Sequence, residues 1–251
     1  MANDAVAPIA KSNDTAVIAP PIQPLIVDAC GRTDRGLVRK INEDQFAVAE
    51  LAKIMRVTQT SLSGPVEHTE ATPAHLFVVA DGMGGYAGGE IASRIAVHTV
   101  EECLLKSLKW FLGGRGAEGE EVASKLQAAV EEADERVLKE SDASPELRSM
   151  GSTLTLALHH GRELFVAHAG DSRAYLCRDR VLHRMTRDHT LYANLAKQGD
   201  LPDDPKELAR ARRTITNAVG GTQQGVQTDL VRAALEDNDV LLLCTDGLTL
   251  M

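Results

Sequence analysis

Two peptides far apart in the chain, Asp81-Gly82-Met83-Gly84-Gly85 and Thr245-Asp246-Gly247, each set an aspartate directly before glycine at the end of an apolar run. The runs are Leu76-Phe77-Val78-Val79-Ala80 and Val240-Leu241-Leu242-Leu243-Cys244. A short apolar run bounded by glycine predicts a buried strand. An aspartate at such a strand end stands on a rigid base, and the glycine beside it lets backbone and ligand approach closely. Two such ends that converge make a site for hard divalent cations, which take oxygen ligands. A pair of Mg²⁺ or Mn²⁺ ions in that setting can activate water against a phosphate. The fold expected is therefore one that sets Leu76–Ala80 and Val240–Cys244 side by side or face to face, with Asp81 and Asp246 meeting.

The remaining bounds agree with a packed domain. The chain has 251 residues, 43% of them hydrophobic, enough for one large domain or two small ones. No apolar run approaches the roughly 20 residues that a membrane span needs, and Met1-Ala2-Asn3-Asp4 lacks the basic start of a signal peptide. A soluble, cytoplasmic protein without a membrane partner is expected. Cys30, Cys103, Cys177 and Cys244 have no CxxC spacing, so free thiols are expected rather than a disulfide framework or a zinc site. A net charge of -9 argues against nucleic acid as a partner. It leaves room for a phosphoprotein, whose single phosphate one arginine and metal ions can hold.

Along the chain, residues 1–24 scatter Pro8, Pro20, Pro21 and Pro24 through an aperiodic mixture and read as a flexible tail. Strands are expected at Leu25–Cys30 and Gln45–Ala49, with a polar loop from Gly31 to Asp44 between them. A surface loop is expected from Thr58 to Pro73. A helix opening at Gly89-Glu90 carries Ile91, Ile95, Val97, Val100, Leu104, Leu105 and Leu108 at helical spacing. A second helix over about 119–141 puts Val122, Leu126, Val130, Ala133 and Val137 on one face. Joined by Gly113–Gly119, the two predict an antiparallel pair laid on a sheet. Strands return at Thr153–Leu158, Glu163–His168 and Arg173–Cys177, with a turn at Arg178-Asp179. Residues 187–217 form a charged excursion with a short helix at Leu191–Gln198, ahead of strand-like Val226–Leu230. Strands, then a helix pair, then strands indicate α+β.

The loop Gly31–Asp44 gathers Arg32, Arg35, Arg39, Glu43 and Asp44, where an arginine can grip a phosphate in bidentate fashion beside a carboxylate that orients water. Gly170-Asp171-Ser172 offers another carboxylate after an apolar strand. Taken singly, each of these peptides also suits a plain turn. His189 suits either a substrate contact or a strand-end cap.

Taken in order, Asn42-Glu43-Asp44, Asp81-Gly82-Met83-Gly84-Gly85, Gly151-Ser152-Thr153, Gly170-Asp171-Ser172-Arg173, Asp188-His189, Val219-Gly220-Gly221 and Thr245-Asp246-Gly247 resemble the type 2C metal-dependent Ser/Thr protein phosphatases, the PPM family, in its bacterial branch. The resemblance runs from about residue 25 to the last residue. It implies a central antiparallel β-sandwich flanked by antiparallel helix pairs, in four layers αββα, with metals at one end. The catalytic domain would then span 25–251, with a flap-like insertion at about 187–217.

What the resemblance implies for the site is specific. Asp81 bridges two Mg²⁺ or Mn²⁺ ions, the Gly82 carbonyl binds one and Asp246 the other, and Asp171 holds a third, weaker ion. Asp44 holds metal-bound water with Glu43 beside it, and Arg39 binds the substrate phosphate. The partner is a phosphorylated protein, the product of a Ser/Thr kinase, and the enzyme a monomer. Three departures stand beside this. Met83 replaces a histidine found in the animal branch, Leu250 stands where an acidic residue is frequent, and the chain stops at Met251, where the family continues to a further aspartate. The sequence therefore reads as C-terminally truncated, with its last strands missing. Two rival readings remain: a catalytically silent phosphopeptide-binding module, and a two-metal hydrolase of small phosphate esters.

Overall fold

A computed structural model of the chain describes residues 25–56, 67–84, 88–107, 119–221 and 225–249. The expected tail at 1–24 and the positions of Gly85, Leu108, Leu250 and Met251 lie outside these residues.

Two antiparallel sheets make the centre. Asp44–Arg56 (β1) and Glu67–Met83 (β2) form a long hairpin. Short Gly151–Ser152 (β3) pairs with the end of β2, while Leu154–His160 (β4), Glu163–Ala169 (β5) and Asp229–Ala234 (β8) complete the larger sheet in the order β1-β2-β4-β5-β8. The smaller sheet joins Val181–Arg184 (β7), Arg173–Arg178 (β6) and Val240–Cys244 (β9) in the order β7-β6-β9.

Strand alternation decides which residues fill which layer. Ala74, Leu76, Val78 and Ala80 of β2 and Leu154, Leu156 and Leu158 of β4 are fully buried on one face. They meet the helices Gly88–Lys106 (α1) and Gly119–Ala143 (α2). The intervening residues Phe77, Ala157, Leu164 and Val166 face the other way, onto Ala174, Leu241 and Leu243 of the smaller sheet. Helix pair, large sheet and small sheet are thus stacked. On α1, Ala92, Ala96, Val100 and Leu104 recur every four residues and are buried, whereas Leu105 is exposed. The α2 face is the expected one, with Val122, Leu126, Val130, Ala133 and Val137 inside. Glu102 of α1 meets Arg136 of α2, whereas Arg94 and His98, earlier in α1, share a groove with Lys139 and Glu140, later in α2. The pair is antiparallel, as the apolar spacing predicts.

The α+β class, the antiparallel sheets and the helix pair are as the sequence implies. No helix among the described residues covers the outer face of the smaller sheet, where Val240 and Leu242 are exposed. The free edge of β9 likewise has no partner there.

Four local readings need correction. Leu25–Cys30 makes no strand, and Ile26 is wholly exposed: an apolar run becomes a strand only where another offers it a ladder. Residues 67–73 belong to β2 rather than to a loop, since Arg56 pairs with Glu67 and the hairpin simply continues; residues 58–66 lie outside the description. The strand expected at Val226–Leu230 starts later, at Asp229, because Val226 and Gln227 are held by Asp134 and Asn217 instead. The turn at Arg178-Asp179 falls one residue later, with Asp179 and Arg180 both at positive φ (52° and 66°), the pairing that matches strand twist in two-residue hairpins.

The excursion holds two helices, the expected Leu191–Gln198 (α3) and Pro205–Arg213 (α4). The second was signalled by Asp204, whose Oδ1 accepts from the Lys206 amide at 3.0 Å, followed by proline at the first helical position. Leu191 and Thr214, and Thr216 and His189, are joined by backbone hydrogen bonds of 2.8 and 2.9 Å, which close the excursion at its base. The four cysteines are free, Cys244 buried and Cys30 exposed. Among the described residues no helix is long and apolar enough to cross a membrane.

Candidate metal centre

Register brings the first two carboxylates together. Asp44 and Asp81 are direct partners across the β1–β2 ladder, so their side chains leave one face about 5 Å apart. That face is the one turned toward the smaller sheet, from which Asp246 arrives at the start of the short helix Asp246–Thr249 (α5). The charge of Asp246 acts on both Asp44 and Asp81, so the two strand ends that the apolar runs single out lie near one another.

Hydroxyls and amides fix the aspartate backbones. The Asp81 amide donates to Thr153 Oγ1 (2.9 Å), and its carbonyl accepts from the Thr153 amide (2.9 Å) and the Ser152 hydroxyl (3.1 Å). Thr153 in turn meets Ser172 Oγ at 2.7 Å, which ties the Asp81 strand to the Asp171 turn. The Thr245 hydroxyl donates to Asp44 Oδ2 at 3.0 Å. The sequence assigns none of these hydroxyls a role, although Ser152, Thr153, Ser172 and Thr245 all stand inside its motifs.

Glycines set the floor. A Cβ on Gly82 would stand 2.0 Å from the Gly89 carbonyl oxygen, and one on Gly89 would stand 2.4 Å from Glu43 Oε1. The end of β2, the first turn of α1 and the Glu43 carboxylate therefore pack at a distance only glycine allows. The Glu43 carbonyl accepts from the Gly82 amide (3.1 Å) and the Ser93 hydroxyl (2.7 Å). Met83 lies against Gly151 and Gly221 and offers no proton.

The electrostatics are one-sided. Burial, then the charges of Asp44 and Asp246 and the hydrogen bond with Asp246, push Asp81 up to about 8. Burial also raises Asp44. Asp171, nearly inaccessible, is pushed up to about 6 by burial and then by the charges of Asp246 and Asp188. Arg173 does little to offset this, because it is committed elsewhere. It donates to Asp188 through Nε (3.0 Å) and Nη2 (2.8 Å) and to the Tyr175 hydroxyl (3.2 Å), and Arg184 joins the same carboxylate. Arg39 is 75% exposed, with its nearest carboxylate, Glu43, 3.8 Å away. Four aspartates thus share a partly buried region in which Arg39 and Arg173 only weakly offset burial and mutual repulsion, an arrangement that a divalent ion relieves. Among the described residues no three His, Cys, Asp or Glu side chains are already drawn into a ligating cluster.

His189 is placed as a cap. Its Nδ1 accepts from the Gly170 amide (3.1 Å), and Nε2 faces Asp229 at 3.2 Å. Asp134, on the acidic helix α2, was missed: it is buried, and its carboxylate accepts from the Gly220 amide (2.6 Å) and the Val226 amide (3.1 Å).

Known proteins carry the same pattern. A family model described as Protein phosphatase 2C matches residues 66–251. The chain belongs to the protein phosphatase 2C family. Within that family it is 30% identical over 220 residues to the serine/threonine phosphatase stp of Listeria monocytogenes, which covers 88% of this chain and 77% of that one. The crystal structure of the Mycobacterium tuberculosis serine/threonine phosphatase PstP/Ppp shares 31% identity, with a TM-score of 0.63 over 87% of this chain and 77% of the other. A structure of the PstP catalytic domain in complex with two manganese ions, also 31% identical, has a TM-score of 0.61 over 87% of this chain and 76% of its own. These relatives are bacterial, as the motif set implied, and protein phosphatase 2C enzymes are metal-dependent.

Proposed function

We propose that this chain is a metal-dependent phosphoprotein phosphatase acting on phosphoserine and phosphothreonine. The observation that carries the reading is the pairing of Asp44 with Asp81 across the β1–β2 ladder, with the charge of Asp246 acting on both from the second sheet. Asp81, the Gly82 carbonyl and Asp246 would hold two Mg²⁺ or Mn²⁺ ions, and Asp171 a third, weaker one. When bound, the ions supply Lewis acidity that makes water a nucleophile at neutral pH and offsets phosphate charge.

The chain's own residues do the rest. Asp44, oriented by the Thr245 hydroxyl, holds the attacking water and takes its proton into the aspartate cluster. Glu43 fixes the start of α1 against the strand that carries Asp81. Arg39, unburied and free to turn, offers its planar fork to the phosphate oxygens and stabilises the charge that develops on them. Met83 supplies no acid, so the leaving oxygen takes its proton from water. Residues 25–249 form the catalytic unit, with α3 and α4 as an insertion beside it. The substrate is a phosphorylated protein, and the cell compartment the cytoplasm.

The test is turnover of the Mn²⁺-loaded chain on a phosphothreonine peptide, beside a small aryl phosphate, with Asp81→Asn as control. Peptide turnover that depends on Mn²⁺ and is lost in Asp81→Asn supports the reading. Equal efficiency on both substrates would move it to a small-ester hydrolase; metal binding or phosphopeptide binding without turnover would move it to a silent module.

A further inference from the structure

We propose that His75 and His159 form a second metal site, for a transition ion of the Zn²⁺ type, at the end of the sandwich away from the aspartates. The two are direct partners across the β2–β4 ladder. Their side chains lie on the face opposite the one on which Leu76 and Leu158 meet the helices. The rings stand with centroids 5.5 Å apart, and His75 is further steadied by Phe77, whose ring is nearly parallel to it at 6.5 Å.

The separation of the ring nitrogens also suits an ion. His75 Nδ1 and His159 Nδ1 are 3.4 Å apart, a hydrogen bond at the long end of the range. Two imidazole nitrogens bound to one tetrahedral ion at about 2.0–2.1 Å stand about 3.3–3.4 Å apart. The tautomer is also set. His159 Nε2 lies 2.9 Å from the Gly161 carbonyl, which can only accept, so Nε2 carries the proton and Nδ1 presents a bare lone pair to His75. A ligating histidine whose other nitrogen donates to a carbonyl is the usual supported form. Burial keeps His159 neutral by lowering its pKa, against the opposing pull of that hydrogen bond.

The site is reachable and separate. His159 is buried but His75 is partly exposed, and Glu50, exposed on β1, is the direct partner of His75 on its other side. Among the described residues no third His, Cys, Asp or Glu side chain already stands within ligating reach, so water completes the coordination. Asp81 lies six positions beyond His75 on β2, about 20 Å of strand, and imidazole prefers Zn²⁺, Cu²⁺ or Ni²⁺ where oxygen clusters prefer Mg²⁺. His160, next along β4, points to the opposite face and is the partner of Ala74.

The experiment is Zn²⁺ titration of the untagged chain by calorimetry in saturating Mg²⁺, repeated in the Asp81→Asn background, with Cu²⁺ electron paramagnetic resonance to count nitrogen ligands. The expected result is one Zn²⁺ per chain in both backgrounds and hyperfine structure from two nitrogens. His75→Ala, at a partly exposed position, should lower the affinity about tenfold or more and remove one nitrogen, with its circular dichroism unchanged; His160→Ala should bind as the parent does. Absence of Zn²⁺ uptake in the Asp81→Asn background, or His75→Ala binding with parental affinity, would overturn the proposal.

Discussion

Asp44 and Asp81 face each other across the β1–β2 ladder, and the charge of Asp246 acts on both from the second sheet. Like charges opposite one another in a sheet are destabilising, and nothing in the packing of the helix pair requires them. The cost is carried for the site. Asp81→Asn removes one of the opposed charges and leaves the strand intact, so in chelator its melting temperature should equal or exceed that of the parent. Mn²⁺ should no longer raise it. Groups that only orient a metal ligand cost 10–100-fold when lost, so turnover should fall by more than about 100-fold. Undiminished Mn²⁺-dependent turnover in Asp81→Asn contradicts the assigned role.

Arg39 permits an unusually direct test. Because it is 75% exposed and its nearest carboxylate is 3.8 Å away, its removal should change stability by no more than about 0.5 kcal/mol. Its effect on phosphopeptide KM then reports phosphate contact alone. Arg39→Ala should raise KM by about tenfold or more, the value of a charge-assisted hydrogen bond. Arg39→Lys should fall between, since it keeps the charge and loses the fork. Identical KM values for the three proteins would remove Arg39 from the site.

A pH effect on stability follows from His168. Its Nδ1 meets Thr155 Oγ1 at 2.8 Å and its Nε2 the Arg187 carbonyl at 2.9 Å, a pattern that a neutral ring satisfies. Burial, and then the neighbouring His189, lower its pKa to about 4, against about 6.5 unfolded. The unfolded chain therefore binds more protons between these values, and the stability this group contributes is complete above pH 6.5 and lost as pH falls toward 4. Urea unfolding should show a loss of roughly 2 kcal/mol between pH 7 and pH 5 from this residue. In His168→Gln that part of the slope should be absent; an unchanged slope assigns the acid sensitivity elsewhere.

How much of this the sequence disclosed depends on the kind of interaction. Asp81 and Asp246 were legible because strand ends and glycines leave a mark on adjacent residues, and the α2 face from Val122 to Val137 because its period is local. Leu25–Cys30 carried the same mark and misled, since strand pairing is decided by a partner elsewhere in the chain. Residues 67–73 misled in the other direction, their threonines and proline reading as loop although 67–70 pair with β1 and 71–73 are only an irregularity in the ladder. Thr245 and Asp188 stand in the Thr245-Asp246-Gly247 and Asp188-His189 motifs, but their side chains act on Asp44 and Arg173, distant in sequence, and no local pattern discloses that role. The α4 helix was the avoidable miss, for Asp204-Pro205 announces it.

Asp134 gives the last prediction, because it joins the helix layer to the site through a chain of contacts invisible in the sequence. Its buried carboxylate accepts from the Gly220 and Val226 amides. Val219, beside Gly220, exchanges two backbone hydrogen bonds with Ser152 (2.9 and 3.0 Å), and the Ser152 hydroxyl holds the Asp81 carbonyl. Asp134→Ala orphans both amides, and an unsatisfied buried donor costs about 1–3 kcal/mol, so the loss of stability should be about 2–4 kcal/mol by urea unfolding. Asp134→Asn keeps one acceptor oxygen and should lose about half as much. With Val219 loosened, the Asp81 backbone is less well fixed, and Mn²⁺ affinity should drop in the same order, parent above Asn above Ala. An alanine variant with the parental unfolding midpoint would show that the two amides find water instead, and that α2 has no hold on the site.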